Sequence, residues 1–344
     1  MIRSLTAGSA LAFLIACGDG QMLANDARSV NERFGIEDPE GTASELTEDD
    51  IPPGTEDPES NGSISRREAR DETGGGLVES VRYDADDDTF FVDGLAFDGE
   101  NVYTRAGAAA AIEAGSGYLV FAADETTPDD LTGNPIGQIV PYRAIHGRST
   151  VLVDGEPRTV FAIVRTGGYA DFGFGGFVYS REGGVAIPTT GQATFAGDYV
   201  GVRVAANSPD PMFYVTGDMT LDIDFDDFNA NDGIKGIISG REIFAMDGSS
   251  VTLEPEDTSP ILFVVEEGRQ TLTDAGEIVV QVKSFKLTDE GALEDYFVGE
   301  FTGIMAGDAR DAADGGEIVG VMTAVAERED DSLVQETGGV ILSR

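Results

Sequence analysis

The stretch that decides the fold is Met219–Phe225, which reads Met-Thr-Leu-Asp-Ile-Asp-Phe. Apolar and polar residues alternate strictly in it, and this period of two is typical of a β-strand with one buried face. A polar segment, Asn229–Gly233, follows and can form a turn, and Ile234–Ile238 is again largely apolar. The stretch therefore predicts an antiparallel hairpin with one apolar face turned to a core. The side chains on that face are those of Met219, Leu221, Ile223 and Phe225.

Runs of the same kind recur through the second half of the chain, and with the hairpin they number eight. Eight is the number of strands at which a small antiparallel barrel closes and fills its interior with side chains. Charged residues on the alternate faces of many runs disfavour a barrel that faces lipid. We therefore predict an all-β protein with an eight-stranded antiparallel β-barrel over residues 189–344. The runs lie at 195–204, 219–225, 234–238, 261–266, 277–287, 296–305, 316–326 and 338–342.

A smaller β region is predicted before the barrel, over residues 76–188. Short apolar runs occur in it at 89–92, 117–121 and 160–165, separated by clusters of Asp, Gly and Pro. The run from Asp171 to Tyr179 is rich in glycine and aromatic residues. We expect these runs to form a sheet that packs against the start of the barrel.

Residues 17–75 have the composition of a disordered, acidic tether. The part from Glu37 to Glu59 is rich in Asp, Glu, Pro, Gly, Ser and Thr and has almost no large apolar residue. Such a segment cannot bury enough apolar surface to offset the entropy that it would lose on ordering. We therefore expect it to hold the β region away from an attachment point.

The first residues predict that attachment point. Arg3 precedes the apolar run Leu5–Ala16, which is too short to cross a membrane as a helix and is typical of a secretory signal. The run leads into Leu14–Cys17 (Leu-Ile-Ala-Cys), which resembles a bacterial lipobox. The resemblance implies that residues 1–16 are removed and that Cys17 carries lipid, palmitate included, which anchors the chain in the cell outer membrane. The alternative is an ordinary signal peptide with an incidental cysteine, and whether the anchored domain faces the surface or the periplasm stays open.

Charge and composition exclude several classes of function. The net charge is −42, from 64 acidic and 22 basic residues, and a surface this acidic repels nucleic acid. His146 is the only histidine, so no histidine pair can bind zinc. No G-x-S-x-G motif is present to supply a serine nucleophile beside His146. We predict a non-catalytic protein that uses no cofactor.

The aromatic run between residues 172 and 179 is the candidate binding surface. Aromatic side chains concentrate at the positions that dominate the energy of protein interfaces. The alternative is that some of these rings form the core of the first sheet. The residues are Phe172, Phe174, Phe177 and Tyr179.

Two groups of carboxylates are weaker candidates. The first could bind calcium, but its spacing does not match the EF-hand pattern and part of it is the polar face of a strand, so we expect no metal site. It comprises Asp222, Asp224, Asp226 and Asp227. The second could supply the general acid and base of a hydrolase, which is the enzymatic alternative. It comprises Asp198, Asp218, Glu300 and Glu327.

Five short motifs follow one another in the second half of the chain. Gly191–Gly197 has the form Gly-x-Ala-x-Phe-x-Gly, and Leu221–Phe225 ends in Asp-Phe before the return strand Gly236–Gly240. A corner at Gly307–Ala309 then precedes Glu317–Met322, of the form Glu-x-x-Gly-x-Met. In this order, with the lipobox in front, the motifs resemble the barrel domain of bacterial surface lipoproteins of the transferrin-binding protein B type.

The resemblance implies a handle-like β region over residues 76–188, followed by the barrel. It also implies an outer-membrane lipoprotein that binds a protein or a small solute. Classical members have two lobes and about twice this length, and this chain has room for one lobe. The resemblance therefore implies fold and location but no particular ligand. The alternative is a structural or accessory envelope lipoprotein without a soluble ligand.

Overall fold

The structure, a computed structural model, consists mainly of β-strands. Among the residues that it describes, no helix is long and apolar enough to cross a membrane. The predicted signal peptide, Cys17 and the first part of the predicted tether, residues 17–45, lie outside the described residues. The described residues are 46–71, 74–95, 102–109, 112–113, 117–123, 126–128, 132–137, 142–167, 171–207, 212–226, 233–265, 269–311, 313, 315–328 and 332–344.

The first twelve strands are short, because turns rich in Asp and Gly interrupt them. An aspartate-rich turn over residues 85–88 joins the second strand to the third, and the Asp84 side chain accepts the backbone N–H of Asp86 there at 3.1 Å. The strands are β1 (Ile64–Arg67), β2 (Ser80–Asp84), β3 (Thr89–Asp93), β4 (Val102–Arg105), β5 (Leu119–Ala122), β6 (Thr126–Pro128), β7 (Pro135–Gly137), β8 (Arg143–Arg148), β9 (Leu152–Val153), β10 (Glu156–Pro157), β11 (Thr159–Arg165) and β12 (Gly175–Arg181).

Eight of these strands form one antiparallel sheet, which we call the first sheet. Their order across it is β1-β12-β11-β8-β5-β4-β3-β2. Within the described residues, strands β6 and β7 form a separate pair, as do β9 and β10. A 3-10 helix, Gly107–Ala109, lies between β4 and β5.

The remaining strands are longer and include those of a closed barrel. They are β13 (Val185–Ala186), β14 (Gln192–Ala205), β15 (Phe213–Asp224), β16 (Ile234–Ala245), β17 (Ser250–Val251), β18 (Ile261–Val264), β19 (Glu277–Leu287), β20 (Leu293–Asp308), β21 (Glu317–Glu327) and β22 (Leu333–Ser343). The ring runs β14-β15-β16-β18-β19-β20-β21-β22, and β22 pairs again with β14. The eight-stranded antiparallel barrel is therefore confirmed.

The apolar face of the stretch 219–225 lines the barrel interior, as the alternation predicted. Its four side chains are at most 5 % exposed and belong to the core inside the ring. Asp222, on the opposite face, is exposed and accepts a hydrogen bond from the Thr194 hydroxyl at 2.5 Å. The register of this strand is thus the predicted one. The buried residues are Met219, Leu221, Ile223 and Phe225.

One face of the first sheet packs against the outer wall of the barrel. The Phe161 ring lies at this contact, where a Cβ atom at Gly147 would be 2.1 Å away and one at Gly339 2.3 Å away. Glycine at both positions therefore lets the ring fit between sheet and barrel. The Tyr118 hydroxyl adds a bond across the same contact, since it donates to the carbonyl oxygen of Asp198 at 2.9 Å.

The tether predicted over residues 17–75 is wrong for its second half, which belongs to the folded unit. Ile64–Arg67 forms β1 and pairs with β12 at the edge of the first sheet. Ile64 is buried, and the Arg66 Nε lies 2.6 Å from Glu277 Oε1 of the barrel. The composition of this segment did not indicate that it folds, because its partners, β12 and Glu277, lie in distant parts of the chain.

Candidate functional site

Residues 46–53, which we call the strap, precede β1 and are tied to the barrel. Asp50 fixes the strap, because the Arg269 guanidinium lies 3.0 Å from its Oδ1. The backbone N–H and the hydroxyl of Thr47 donate to Asp50 Oδ2 at 2.8 and 2.7 Å. Burial opposes the ionised form, but the two Thr47 bonds and the Arg269 charge together lower the pKa of Asp50.

A recess of about 420 Å³ opens between the strap and the barrel wall. Glu300 forms part of it from the outer face of β20, between Gln281 of β19 and Thr323 of β21. Burial raises the pKa of Glu300 to about 7, with Arg269 acting against the shift and Asp50 adding to it. The lining includes the carboxylates Glu48, Asp49, Asp50 and Glu300 together with Pro52 and Pro53.

The recess is electrostatically suited to a cation. Asp50 is held ionised, whereas Glu300 is close to half-protonated at neutral pH because its charge is poorly solvated there. A positive group in the recess would favour the ionised form of Glu300 and would pair with several carboxylates at once. The prolines offer the apolar flank that a long aliphatic stem needs.

The four carboxylates considered as acid and base do not come together. Asp198 and Asp218 are cross-strand partners on β14 and β15, and burial together with the Asp218 charge raises the pKa of Asp198. Glu300 is on β20, which β22 and β21 separate from β14 in the barrel wall. Glu327 lies at the end of β21, beyond Thr323, the partner of Glu300. The structure thus forms one carboxylate pair rather than a cluster.

The aromatic patch predicted between residues 172 and 179 is wrong for two of its members. Phe177 and Tyr179 are 7 % and 2 % exposed and pack in the core between the first sheet and the barrel. The physical reason is that β12 lies inside the sheet, between β1 and β11, so its barrel-facing side chains have no access to solvent. Phe172 and Phe174 are half-buried, and their role in binding stays a prediction.

His146 lies within β8, in the interior of the first sheet. Its ring packs against Phe90 at 5.2 Å and Tyr83 at 5.6 Å between centroids, and its Nδ1 is 3.1 Å from the carbonyl oxygen of Phe161. Burial lowers the pKa of His146 to about 4, and the Arg148 charge adds to this against the effect of the Phe161 bond. The ring is therefore a neutral part of the core.

The aspartates considered as a calcium site take part in pairing across strands. Asp222 bonds to Thr194, and Asp224 accepts the Gln192 amide at 2.5 Å. Asp224 also accepts the backbone N–H of Asp226 at 3.0 Å, which closes a turn, while Asp227 lies outside the described residues. In the part of the chain that the structure describes, no group of three or more potential ligands could hold a metal.

A charged cluster inside the barrel was not singled out from the sequence. Arg203 and Arg241 face Glu336 and Asp257 there, and all four are at most 5 % exposed. The sequence carried one signal for it: counting in twos from Phe195 along β14 places Arg203 on the inner face. The alternation of side chains along β14 did not show that buried carboxylates, those of Glu336 and Asp257, pair with the Arg203 charge.

No protein-family model matches the chain, and no curated protein matches it. Among solved structures, a double mutant of transferrin binding protein B from Haemophilus parasuis Hp5 matches 74 % of this chain, at 12 % identity and a TM-score of 0.35. A single mutant of the same protein matches 64 % at 11 % identity and a TM-score of 0.32. Intact Ap-TbpB, with its N and C lobes, matches 64 % at 12 % identity and a TM-score of 0.29. The chain spans 40 to 42 % of the length of these proteins, and similarity at this level carries no conclusion about ligand or location.

Proposed function

We propose that this chain is a non-catalytic lipoprotein of the outer membrane that holds a protein or a small solute at the surface of its folded β unit. The observation that carries the binding role is the open recess under the strap, because a cleft with converging polar groups is the usual form of a binding site. The motif Leu14–Cys17 supports the anchor. Lipid on more than one atom of the same residue gives stable attachment, which a single chain does not.

The chemistry of the recess favours a cationic group as the part that is bound. Its carboxylates fit a lysine or arginine side chain of a partner protein, or the ammonium group of a small amine. The net charge of −42 would draw such a partner from a distance and speed its association.

The burial of His146 and Glu336 inside the protein also favours binding over catalysis. His146 is enclosed in the core of the first sheet, and the carboxylate of Glu336 is bonded to two arginines inside the barrel. A catalytic acid or base must reach a substrate, and neither group does so in the described part of the chain.

The anchor is tested by changing Cys17→Ser in the full-length chain. We expect the variant to leave the outer-membrane fraction or to retain its signal peptide, since the sulfur that accepts lipid is gone. The measurement is membrane fractionation with mass analysis of the N-terminus. A variant that keeps the mature mass and stays in the outer membrane would refute the lipobox.

The recess is tested by binding. The full-length Cys17→Ser protein is used to isolate partners from the native envelope and medium, and a partner is accepted only when the purified pair binds with defined stoichiometry in calorimetry. We expect Asp50→Asn combined with Glu300→Gln to weaken that binding roughly tenfold or more, because two paired charges are lost. Asp218→Asn, on another part of the barrel wall, serves as the matched control.

Two outcomes would contradict this assignment. A partner that the recess variant binds as tightly as the control would mean that binding takes place elsewhere on the surface. If no stoichiometric partner is found, the alternative of an accessory envelope lipoprotein without a soluble ligand is favoured.

A further inference from the structure

The barrel wall is closed at one place by a loop rather than by a strand. Strand β18 is short, and its pairing with β16 stops where Ile238 meets Ile261. Further along β16, Ile243 and Phe244 pair with β17. Residues 252–260, which we call the plug, connect β17 to β18. The 3-10 helix of the plug, Pro255–Thr258, lies against β16 and β19 and so covers the part of the wall that β18 does not reach.

The plug inserts a carboxylate into the barrel. Asp257 is 5 % exposed, while its neighbours in the plug are half-buried or exposed. Its Oδ1 accepts hydrogen bonds from Arg203 Nη1 at 2.9 Å and from the Tyr296 hydroxyl at 3.1 Å. Its carbonyl oxygen accepts Arg203 Nη2 at 2.7 Å, and the carbonyl oxygen of Ser259 accepts Arg241 Nη1 at 2.8 Å.

The barrel wall itself carries one more positive than negative charge at this point. Arg203 and Arg241 both donate to Glu336 Oε2, and Tyr199 donates to Glu336 Oε1 at 2.8 Å. Two guanidinium groups therefore face one carboxylate of the wall, and Asp257 supplies the second negative charge. The Arg241 Nε is buried and has no hydrogen-bond partner among the described residues. Without Asp257 the site would hold an uncompensated buried positive charge, which is strongly unfavourable.

We propose that this end of the barrel interior is a binding site for a small carboxylic acid, and that Asp257 occupies it as an intramolecular ligand until the plug moves out. An incoming carboxylate takes over the hydrogen bonds that Arg203 and Tyr296 give to Asp257. The Phe297 ring, 5.0 Å from the Arg203 guanidinium and 5.2 Å from that of Arg241, offers an apolar wall for the rest of the molecule. The chemistry favours an aromatic or aliphatic monocarboxylate.

The plug is suited to displacement. Its attachment to the barrel includes the short pairing of β18 with β16 on one side and the buried ion pair between Arg203 and Asp257 on the other. Opening the plug leaves a buried guanidinium without its carboxylate, which is unfavourable, so the open form is a minor one until an incoming carboxylate restores the charge balance. A ligand with the same carboxylate restores the same bonds, and its apparent affinity is reduced only by the fraction of molecules in which the plug is open. This site goes beyond the proposed surface function and depends neither on the anchor nor on the recess.

The experiment uses the full-length chain with Cys17→Ser, extracted in detergent where it retains its signal peptide. The Asp257→Ala variant is compared with the chain whose plug is unchanged, by the Tm and by the affinity for added anions. The anions are benzoate and acetate, and chloride at equal ionic strength is the reference. We expect Asp257→Ala to melt at a lower temperature and benzoate to raise its Tm saturably. The unchanged chain should bind benzoate detectably but roughly tenfold more weakly, because Asp257 competes. Amide exchange in residues 252–260 should then increase as benzoate binds.

Controls make each outcome decisive. Asp247→Ala, an exposed aspartate in a turn, should respond to benzoate as the unchanged chain does. Asp257→Asn replaces Asp257→Ala if the latter does not fold. A response of the Asp257 variants no larger than that to chloride overturns the site. Binding by the variants with none by the unchanged chain, or binding without faster exchange in the plug, overturns the displacement and makes Asp257 a purely structural latch.

Discussion

The barrel and the first sheet each contain eight strands, but they bury their side chains in different ways. In the barrel, successive strands of the ring are neighbours, and the last returns to the first, so one face is enclosed by the ring together with the plug. The first sheet stays open, and β1 reaches its place only by pairing with β12 from more than 100 residues away. It buries one face against the barrel through Phe161 and Ile163, and the opposite face in a separate core that includes Ala162 and Val164.

The difference shows where each region obtains its stability. The barrel encloses its own core, so most of its interior is supplied by its own strands. The first sheet has two apolar faces and needs the barrel to cover one of them. Substitutions inside the barrel should therefore affect the whole fold, whereas substitutions at the junction should separate the two regions first.

The largest effect is expected inside the barrel. Phe225→Ala removes a ring that is 5 % exposed and should lower the free energy of unfolding by about 3–5 kcal/mol through lost burial and a cavity. Asp224→Ala, on the adjacent outward position, should cost about 1 kcal/mol or less. Denaturant unfolding measures both. Equal losses of unfolding free energy in the two variants would mean that this strand is buried on both faces. The barrel would then not differ from the first sheet in having a single buried face.

The next effect tests whether β1, which the composition assigned to a disordered tether, is part of the folded unit. Arg66→Ala leaves the buried Glu277 without its ion-pair partner, and we expect a loss of about 3 kcal/mol. Arg82→Ala breaks an ion pair whose arginine side chain is 60 % exposed, and should cost at most about 1 kcal/mol. Chemical denaturation compares the two variants. If Arg66→Ala were as mild as Arg82→Ala, the assignment of this segment to the folded unit would fail.

A smaller effect is expected at the contact between the two regions. A Cβ atom at Gly339 would lie 2.3 Å from the Phe161 ring, so Gly339→Ala must move the sheet away from the barrel and should cost about 2 kcal/mol. Gly137→Ala is the control, since a Cβ atom there would have no atom of a described residue within 4 Å apart from its chain neighbours. Amide exchange should show faster opening of β11 than of β14 in Gly339→Ala. Uniform acceleration would indicate that both regions unfold as one unit.

The smallest effect concerns pH and the core of the first sheet. The folded pKa of His146, about 4, lies below the ordinary value of 6.5, so the unfolded chain binds the proton more readily between these values. Stability therefore falls as the pH drops below 6.5, by about 1 kcal/mol between pH 7.5 and 5.5 from this residue alone. His146→Gln should remove that part of the slope.

Glu300 provides the comparison of opposite sign. Its folded pKa, about 7, lies above the ordinary value of 4.5, so its contribution to stability decreases as the pH rises between these values. Glu300→Gln should therefore steepen the loss of stability on acidification, whereas His146→Gln should flatten it. Unfolding curves at several pH values distinguish the two, and identical slopes in both variants would contradict the pKa assignments.

The barrel could be predicted from the sequence because its signal is local. Each of its eight predicted runs overlaps a strand of the ring, and the alternation in Met219–Phe225 gave the correct register. The strands extend further than the runs, as in β15, which begins at Phe213. Residues at the strand ends lack the alternating pattern but still pair, because backbone hydrogen bonds do not depend on the side chain.

The candidate site was largely beyond prediction. Glu300 was noted as one carboxylate among four, but the recess also needs Asp50, which composition had assigned to a disordered tether. Phe177 and Tyr179 were considered for a surface, and the barrel covers them. In each case the contact depends on a segment far away in the chain, and the local sequence pattern does not show which segment that is.

What the sequence determined by itself is the period of two along the strands, the positions of the turns and the number of strands that close the ring. These follow from short-range chemistry: alternate side chains point to opposite faces, and Asp, Asn and Gly stabilise turns. Only the tertiary structure decided what covers each face. Val200 and Val202 face the first sheet while Arg203 points into the barrel beside Asp257 of the plug. That choice depends on which distant segment is available to bury an apolar group or to neutralise a charge, and so it arises only when the whole chain is packed.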